Sequence, residues 1–282
     1  MAPFKIWTAI PDSILSDCSD IRDKTEKIGI IARACAIYKI PRIYIYHDRG
    51  ERLRYDQKLI SVLLQYAETP PYLRKHLFKK MPELAAAGIL PPLRTPNHQL
   101  DSDITSLKFG TIREGYWFKI AGTKFVDIGF KSPGLLQGEV PDKRRITVRV
   151  IATNPQIVCV PVDQKEIDTY WGYTVKQIED IGKLIRSSKP IFVIATSIKG
   201  EEIHKIWDTL GEKIQSYQRC LVLFGSPKRG LTEILKDENE KLNTLSDITV
   251  NMVPSQGTKT VRSEEAMHAT FSILNLLRST NS

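Results

Sequence analysis

Nowhere does this sequence carry an apolar run near the ~20 residues that a bilayer-spanning helix requires. Its longest stretches, such as Ile191 to Ala195 and Leu221 to Phe224, have strand length. The N-terminus runs from Lys5 through Pro11 and Asp12 into further acids and lacks the apolar core and cleavage site of a secretory signal. Cysteine is scarce. Cys18, Cys35, Cys159 and Cys220 stand apart with no Cys-x-x-Cys pair, which excludes a zinc ribbon and argues against a disulfide framework. A reducing, cytoplasmic setting without membrane attachment is expected. The histidines His47, His76, His98, His204 and His268 share no ligand spacing, so no metal is expected and none of them is assigned a catalytic role.

Nucleotide motifs are missing too. Gly225-Ser226-Pro227-Lys228-Arg229-Gly230 has two glycines five apart, but Leu231 and Thr232 follow where a phosphate-binding loop needs Lys and then Ser or Thr. A triphosphatase is thereby disfavoured. Pro227 stands where a dinucleotide fingerprint needs its middle glycine, which disfavours hydride transfer.

What is present is a globular balance: 282 residues, 41% hydrophobic and 26% charged, long enough for two domains. The net charge of +9 is uneven. All of the basic excess lies in residues 1–165, while residues 166–282 are neutral. The clusters Arg74-Lys75-His76, Lys79-Lys80 and Lys143-Arg144-Arg145 suit a polyanion, because lysine and arginine displace counterions from phosphates. The alternative is a solvated basic face with no partner.

Phe4 to Ile10 and Arg42 to Tyr46 read as strands, each followed by helical periodicity, in Asp20 to Lys39 and in Gln57 to Ala67. This order predicts a parallel sheet. Prolines then punctuate residues 70–96. From Gly110 to Val162 short β-prone runs alternate with glycine turns, namely Gly115 to Ile120, Lys124 to Ile128 and Arg145 to Ile151. That pattern predicts a small all-β module of oligonucleotide-binding (OB) type, though another small β-fold would look similar. After Tyr170-Trp171-Gly172-Tyr173 the alternation resumes: helix Lys176 to Ser187, strand Ile191 to Ala195, helices within Glu201 to Tyr217, strand Cys220 to Phe224, helix from Arg229, strand Ile248 to Met252 and helix Ser263 to Leu277. The expected plan is one α/β domain formed by residues 1–90 and 166–282, with the β module 91–165 inserted between its halves.

Open α/β sheets bind ligands beyond the carboxyl ends of their strands. Three such ends stand out: Thr196 to Gly200, Gly225 to Gly230 and Val253 to Arg262. The last, rich in hydroxyl and amide side chains, is long for a mere connection. It leads into a helix with Ser263 at its cap and Glu264 and Glu265 in its first turn. Those acids either complement the helix dipole or take part in chemistry. Tyr116, Trp117 and Phe118 either stack on bases or belong to a core.

Four segments carry a family likeness: Lys24-Thr25-x-x-x-Gly29-x-Ile31-Ala32-Arg33-Ala34; Tyr170-Trp171-Gly172-Tyr173; Phe224-Gly225-Ser226-Pro227-x-x-Gly230-Leu231; and Pro254-x-Gln256-Gly257-Thr258-x-Thr260-Val261-Arg262-x-Glu264-Glu265-Ala266. Together they resemble the SPOUT superfamily of S-adenosylmethionine-dependent RNA methyltransferases, in its archaeal and eukaryotic branch with an inserted barrel. The likeness spans nearly the whole chain. It implies an α/β trefoil-knotted parallel sheet, a homodimer, and methylation of the ring imide nitrogen, N3, of a uridine in large-subunit ribosomal RNA. Transfer RNA, another base, or ribose are the alternative targets. Ribose is disfavoured because the early Asn of the ribose methylases is replaced here by a segment offering Asp12, Thr25 and Arg33.

On that likeness the cofactor residues are Ala195, Thr196, Ser197, Phe224, Gly225, Ser226, Pro227, Gly230, Met252, Val253, Pro254, Gln256, Gly257, Thr258 and Val261. Arg33 and Glu264 are the catalytic candidates, with Arg33 stabilising an imidate oxygen or a phosphate; an ion pair with Glu26 or Asp23 is its structural alternative. Lys24, Arg74, Lys75, Lys143, Arg144, Arg145 and Arg262 are the RNA-binding candidates. The competing reading is a non-catalytic RNA-binding or ribosome-assembly protein using the same basic face.

Overall fold

A computed structural model describes residues 4–49, 54–99 and 103–279. Two compact units emerge. One comprises residues 1–65, 83–91 and 173–282; the other comprises 66–82 and 92–172.

The first unit is a parallel sheet. Its strands are β1 (Lys5–Pro11), β2 (Arg42–Tyr46), β8 (Thr174–Ile178), β9 (Phe192–Glu202), β10 (Arg219–Leu223) and β11 (Ile248–Asn251), in the order β11-β9-β10-β1-β2-β8. The central strands are mostly apolar because both faces are covered. Trp7, Ala9, Tyr44, Val193, Leu221 and Leu223 pack with Ile181 and Ile185 of α4 (Ile181–Ser188), with Leu231, Ile234 and Leu235 of α6 (Leu231–Asp237) and with Leu245 of α7 (Leu242–Leu245). Residues of the other parity, among them Ile6, Ile10, Ile45, Ile194 and Val222, are also fully buried. So are Leu210 and Ile214 of α5 (Trp207–Gln215).

Helix α1 (Ile21–Ile37) starts where Asp20 accepts the Arg22 and Asp23 amides at 2.8 Å, and it buries Ile28, Ile31, Ala32 and Cys35. It lies against α8 (Ser263–Ser279), where Tyr38, just past α1, meets Phe271 at 6.2 Å between ring centroids.

The structure departs from the expected pattern in its unit bounds, residues 66–82 and 166–172 grouping with the barrel rather than with the sheet, and in two strands. The segment expected as a helix from Lys176 is instead the edge strand β8, with α4 beginning only at Ile181. Strand β9 also continues past Ala195, through residues expected as loop and helix. Thr249 of β11 pairs with Ala195 and the next residue, Val250, pairs with Glu201, so 196–200 bulges out between them. Gly200 makes the return possible, since a Cβ there would sit 2.6 Å from the Val250 backbone.

The second unit holds a closed five-stranded barrel. Its strands are β3 (Ile112–Ile120), β4 (Thr123–Asp127), β5 (Gly134–Leu136), β6 (Arg145–Ala152) and β7 (Val158–Pro161), ordered β3-β4-β5-β7-β6, with only β5 and β7 parallel. Trp117, Val126, Ile128, Leu136, Val148, Val150 and Cys159 fill it. The OB-like barrel expected from the sequence is therefore present. The unit also contains the end of α2 (Arg54–Glu68) and α3 (Pro71–Leu77).

Candidate functional site

The parallel order puts the carboxyl ends of β11, β9 and β10 side by side, and the three loops singled out in the sequence leave from those ends. Ala195, Phe224 and Met252 are buried at the bases of the loops. Thr196 and Ser197 are half-buried, and the Thr196 hydroxyl donates to the Leu223 carbonyl at 2.8 Å, tying the end of β9 to that of β10. Asn251 donates from Nδ2 to the Ile198 carbonyl at 3.3 Å and ties β11 to the bulge.

Loop 225–230 is held from several sides. Tyr46 donates its hydroxyl to the Phe224 carbonyl at 2.6 Å, and the Phe224 amide donates to the Ala9 carbonyl at 3.1 Å. The Ser226 amide donates to the Arg229 carbonyl at 2.9 Å while the Arg229 amide donates to Ser226 Oγ at 3.0 Å. The Arg229 guanidinium reaches Asp48 and Asp237 and donates to the Glu233 carbonyl at 3.2 Å. Asp48 is fully buried at the end of β2, where it accepts from the Ser13 hydroxyl at 2.7 Å and its amide donates to Asp12 at 2.9 Å. Asp12 in turn meets Nδ1 of His47 at 2.6 Å; burial raises the carboxyl's pKa above its ordinary value, against the lowering effect of those two hydrogen bonds. Nothing in the sequence motif marks Asp48, which stands 181 residues from Arg229.

Loop 253–262 is organised within itself. The Val253 amide donates to Asn251 Oδ1 at 3.0 Å, Gln256 donates from Nε2 to the Thr258 carbonyl at 2.9 Å, and the Thr258 hydroxyl donates to the Thr260 carbonyl at 2.9 Å. Pro254 and Val261 are half-buried, as is Gln256, while Gly257 and Thr258 are exposed. A Cβ at Gly230 or Gly257 would meet nothing within 4 Å, so both glycines border open space where a ligand can approach the backbone. Pro227 is exposed, and Gly225 is half-buried and tight, a Cβ there lying 3.0 Å from the Arg229 carbonyl.

The two catalytic candidates both lie at the α1–α8 contact, in different settings. Arg33 is half-buried on α1, and its charge contributes to keeping the His268 imidazole pKa below its usual value, burial being the larger cause. Glu264 is buried at the start of α8 and pairs at 3.2 Å with Lys27, which itself is held by Asp17 at 2.7 Å. That places the Glu264 carboxylate in an interhelix ion pair.

The basic candidates divide. Arg145, expected at an RNA surface, is instead chelated by Glu68 at 2.6 and 2.9 Å and by Glu114 at 2.6 Å, and these carboxylates raise its pKa further. Gly172, in the left-handed region at φ 89°, leaves room there for Glu68, whose Oε1 would lie 2.4 Å from a Cβ. Lys24 likewise pairs with buried Asp56 at 2.7 Å. Arg74 caps the Tyr66 ring at 4.4 Å and bonds to the Thr69 carbonyl. Lys75 is exposed, 3.6 Å from Asp127. Lys143, Arg144 and Arg262 are exposed. Among the described residues no cluster of three or more His, Cys, Asp or Glu side chains could hold a metal ion.

A parallel sheet with loops gathered at adjacent strand ends, together with a five-stranded barrel, defines an α/β ligand-binding protein with an added β module. The family follows from the sequence: the pattern of the family described as "Putative RNA methyltransferase" matches residues 5–274, and the chain belongs to that family. An uncharacterized protein of Haloarcula marismortui is 31% identical over 283 residues, covering 95% of this chain and 97% of that one. The 28S rRNA (uridine-N(3))-methyltransferase of Homo sapiens is 26% identical over 294 residues, covering 94% of this chain and 76% of the human protein. Among solved structures, the SpoU methyltransferase AviRb of Streptomyces viridochromogenes in complex with AdoMet aligns with a TM-score of 0.41 at 10% identity, covering 99% of this chain and 60% of that one.

Proposed function

We propose that this protein is an S-adenosylmethionine-dependent RNA methyltransferase of SPOUT type that methylates N3 of a uridine in large-subunit ribosomal RNA. The observation that carries this reading is the family match, which runs across both the sheet and the barrel. The chemistry at the strand ends fits the cofactor: the open backbone at Gly230 and Gly257 lets a ligand approach the main chain, beside the half-buried apolar side chains of Val253, Pro254 and Val261.

When bound, S-adenosylmethionine supplies a methyl group already activated on a sulfonium. The chain then has to hold that cofactor and align the uridine nitrogen, whose imide proton is lost to solvent as the methyl group moves to it and S-adenosylhomocysteine is left. Loops 225–230 and 253–262 do the first. Arg33, on a helix rather than on either loop, provides the charge that stabilises the imidate oxygen or a flanking phosphate. Exposed Ile30 and Ile37 on α1 and Leu276 on α8 support a homodimer through these helices, and on that reading Arg33 serves the partner's site. A trefoil knot is what the SPOUT resemblance implies for this sheet. The scarce, widely spaced cysteines are the ground for placing the protein in a reducing, cytoplasmic setting; no helix of the described residues is long and apolar enough to cross a membrane.

Calorimetry with S-adenosylhomocysteine tests the cofactor site. Saturable heat is expected, and its repeated absence at high protein concentration would leave the non-catalytic RNA-binding reading standing.

A further inference from the structure

Two acids open α8, and they have different duties. Glu265 is exposed and accepts the Arg262 amide at 2.9 Å, which serves the start of the helix in the ordinary way. Glu264 is buried, with 7% of its surface exposed. Its Oε2 is sealed from solvent and accepts no hydrogen bond among the described residues; the charge that balances it is the Lys27 ammonium, 3.2 Å away.

Lys27 is itself buried on α1 and donates to both carboxylate oxygens of Asp17, at 2.7 and 2.8 Å. Asp17 is exposed and belongs to the segment that follows β1. One ammonium therefore joins three parts of the chain: that segment, α1 and the first turn of α8. A buried carboxylate whose partner is shared with a second acid is costly to keep. Capping of the helix does not explain it, since Glu265 does that. The place of Glu264 in the chain does, because it stands two residues past the end of loop 253–262. Within the loop the hydrogen bonds of Gln256 and Thr258 are local, so the exit is where a distant residue can hold it.

We propose that Lys27 is a positioning residue for cofactor binding: through Glu264 it holds the exit of loop 253–262 in place against α1. The proposal rests on the methyltransferase reading for the identity of the cofactor. Glu264 then acts on Lys27 and not on the substrate, which removes it from the catalytic candidates and leaves Arg33.

The test uses the full chain and two readouts. Hydrogen exchange followed by mass spectrometry, run without cofactor, reads the tie itself. Glu264→Ala severs the tie and leaves the Lys27–Asp17 pair balanced, so the circular dichroism spectrum is expected to be unchanged. Peptides covering 253–266 are expected to exchange faster, and those covering 225–230 to exchange as in the wild type. Lys27→Met, which leaves Glu264 buried without its partner, is expected to show the same pattern with a lower urea midpoint, and Lys27→Arg to restore the wild-type pattern. Calorimetry with S-adenosylhomocysteine reads the consequence. Each of Glu264→Ala and Lys27→Met is expected to weaken binding roughly tenfold, and the double variant no further than either alone, since both remove one tie. Multiplied losses in the double variant would make Glu264 a direct ligand and overturn the proposal. So would an unchanged exchange pattern in Glu264→Ala, or faster exchange spread evenly over the sheet, the mark of a merely structural pair. Because exchange is read without cofactor, a wild type that binds no S-adenosylhomocysteine would sink the methyltransferase reading while the tie is judged on exchange alone.

Discussion

Two loops on the same edge of one sheet are built in opposite ways. Loop 225–230 is fastened to its surroundings, through Tyr46 at its start and through Arg229, whose guanidinium joins Asp48 at the end of β2 to Asp237 at the end of α6. Loop 253–262 is fastened mainly to itself, by Gln256 and Thr258 hydrogen bonds to its own carbonyls, and its middle is exposed. Of the two walls of the proposed cofactor site, one is thus fixed to the sheet and the other is held chiefly by its own hydrogen bonds. The first therefore depends on residues far away in the chain, while the second depends on its own sequence.

The largest effect is expected from filling the open backbone on both walls. Gly230→Glu and Gly257→Glu should each abolish S-adenosylhomocysteine binding with the circular dichroism spectrum unchanged, because at neither position does a Cβ meet protein. Retained affinity in both would refute the pocket assignment. Arg33→Ala tests what neither loop does. Methyl transfer should fall about 10²-fold with cofactor affinity nearly unchanged, in the range seen when one preorganised charge stabiliser is lost. Mixing this variant with Gly257→Glu should restore part of the activity if Arg33 serves the partner's site. Joint loss of cofactor binding and thermal stability would make Arg33 structural.

A smaller effect separates the walls. Arg229→Ala should cost roughly 2 kcal/mol of stability in urea unfolding, as expected for losing charged hydrogen bonds to a buried carboxylate, and should weaken cofactor binding; Arg229→Lys should recover part of both. Equal behaviour of Arg229→Ala and wild type would remove the distinction between the loops. The smallest effect concerns Glu238, at the end of α6, which accepts the Ile181 and Gly182 amides at 3.3 Å and is pushed up to about 7, chiefly by burial. Its folded value lies above its unfolded one, so the native state holds the extra proton between them, and stability falls as pH rises through 7. Glu238→Gln should flatten the pH dependence of the urea midpoint between pH 5 and 8; an unchanged slope would contradict this.

The parts of the fold that were legible from sequence are those whose pattern is local. Ile43 to Tyr46 and Leu221 to Leu223 are buried on both faces and read as strands because both faces are apolar. Thr174 to Ile178 escaped notice because an edge strand paired only to β2 needs no apolar side, and its residues are mostly exposed. The continuation of β9 beyond Ala195 was equally hidden, since it is dictated by pairing with β11 some fifty residues later. The candidate loops were visible through their glycines and hydroxyls. The partners that fix them were not: Asp48 for Arg229, and the carboxylates of Glu68 and Glu114 for Arg145, are long-range choices that no spacing rule reveals.

Delivery of a methyl group to uridine N3 in ribosomal RNA is the step that the sheet's loops and Arg33 are proposed to serve together. Nucleoside mass spectrometry of large-subunit RNA, compared between wild-type cells and cells lacking this protein, measures it without an intermediary. One 3-methyluridine is expected to disappear in the deletion and to return when pure protein and S-adenosylmethionine are added to the undermethylated RNA. An identical set of methylated nucleotides in the two strains, or loss of a ribose methylation alone, would contradict it.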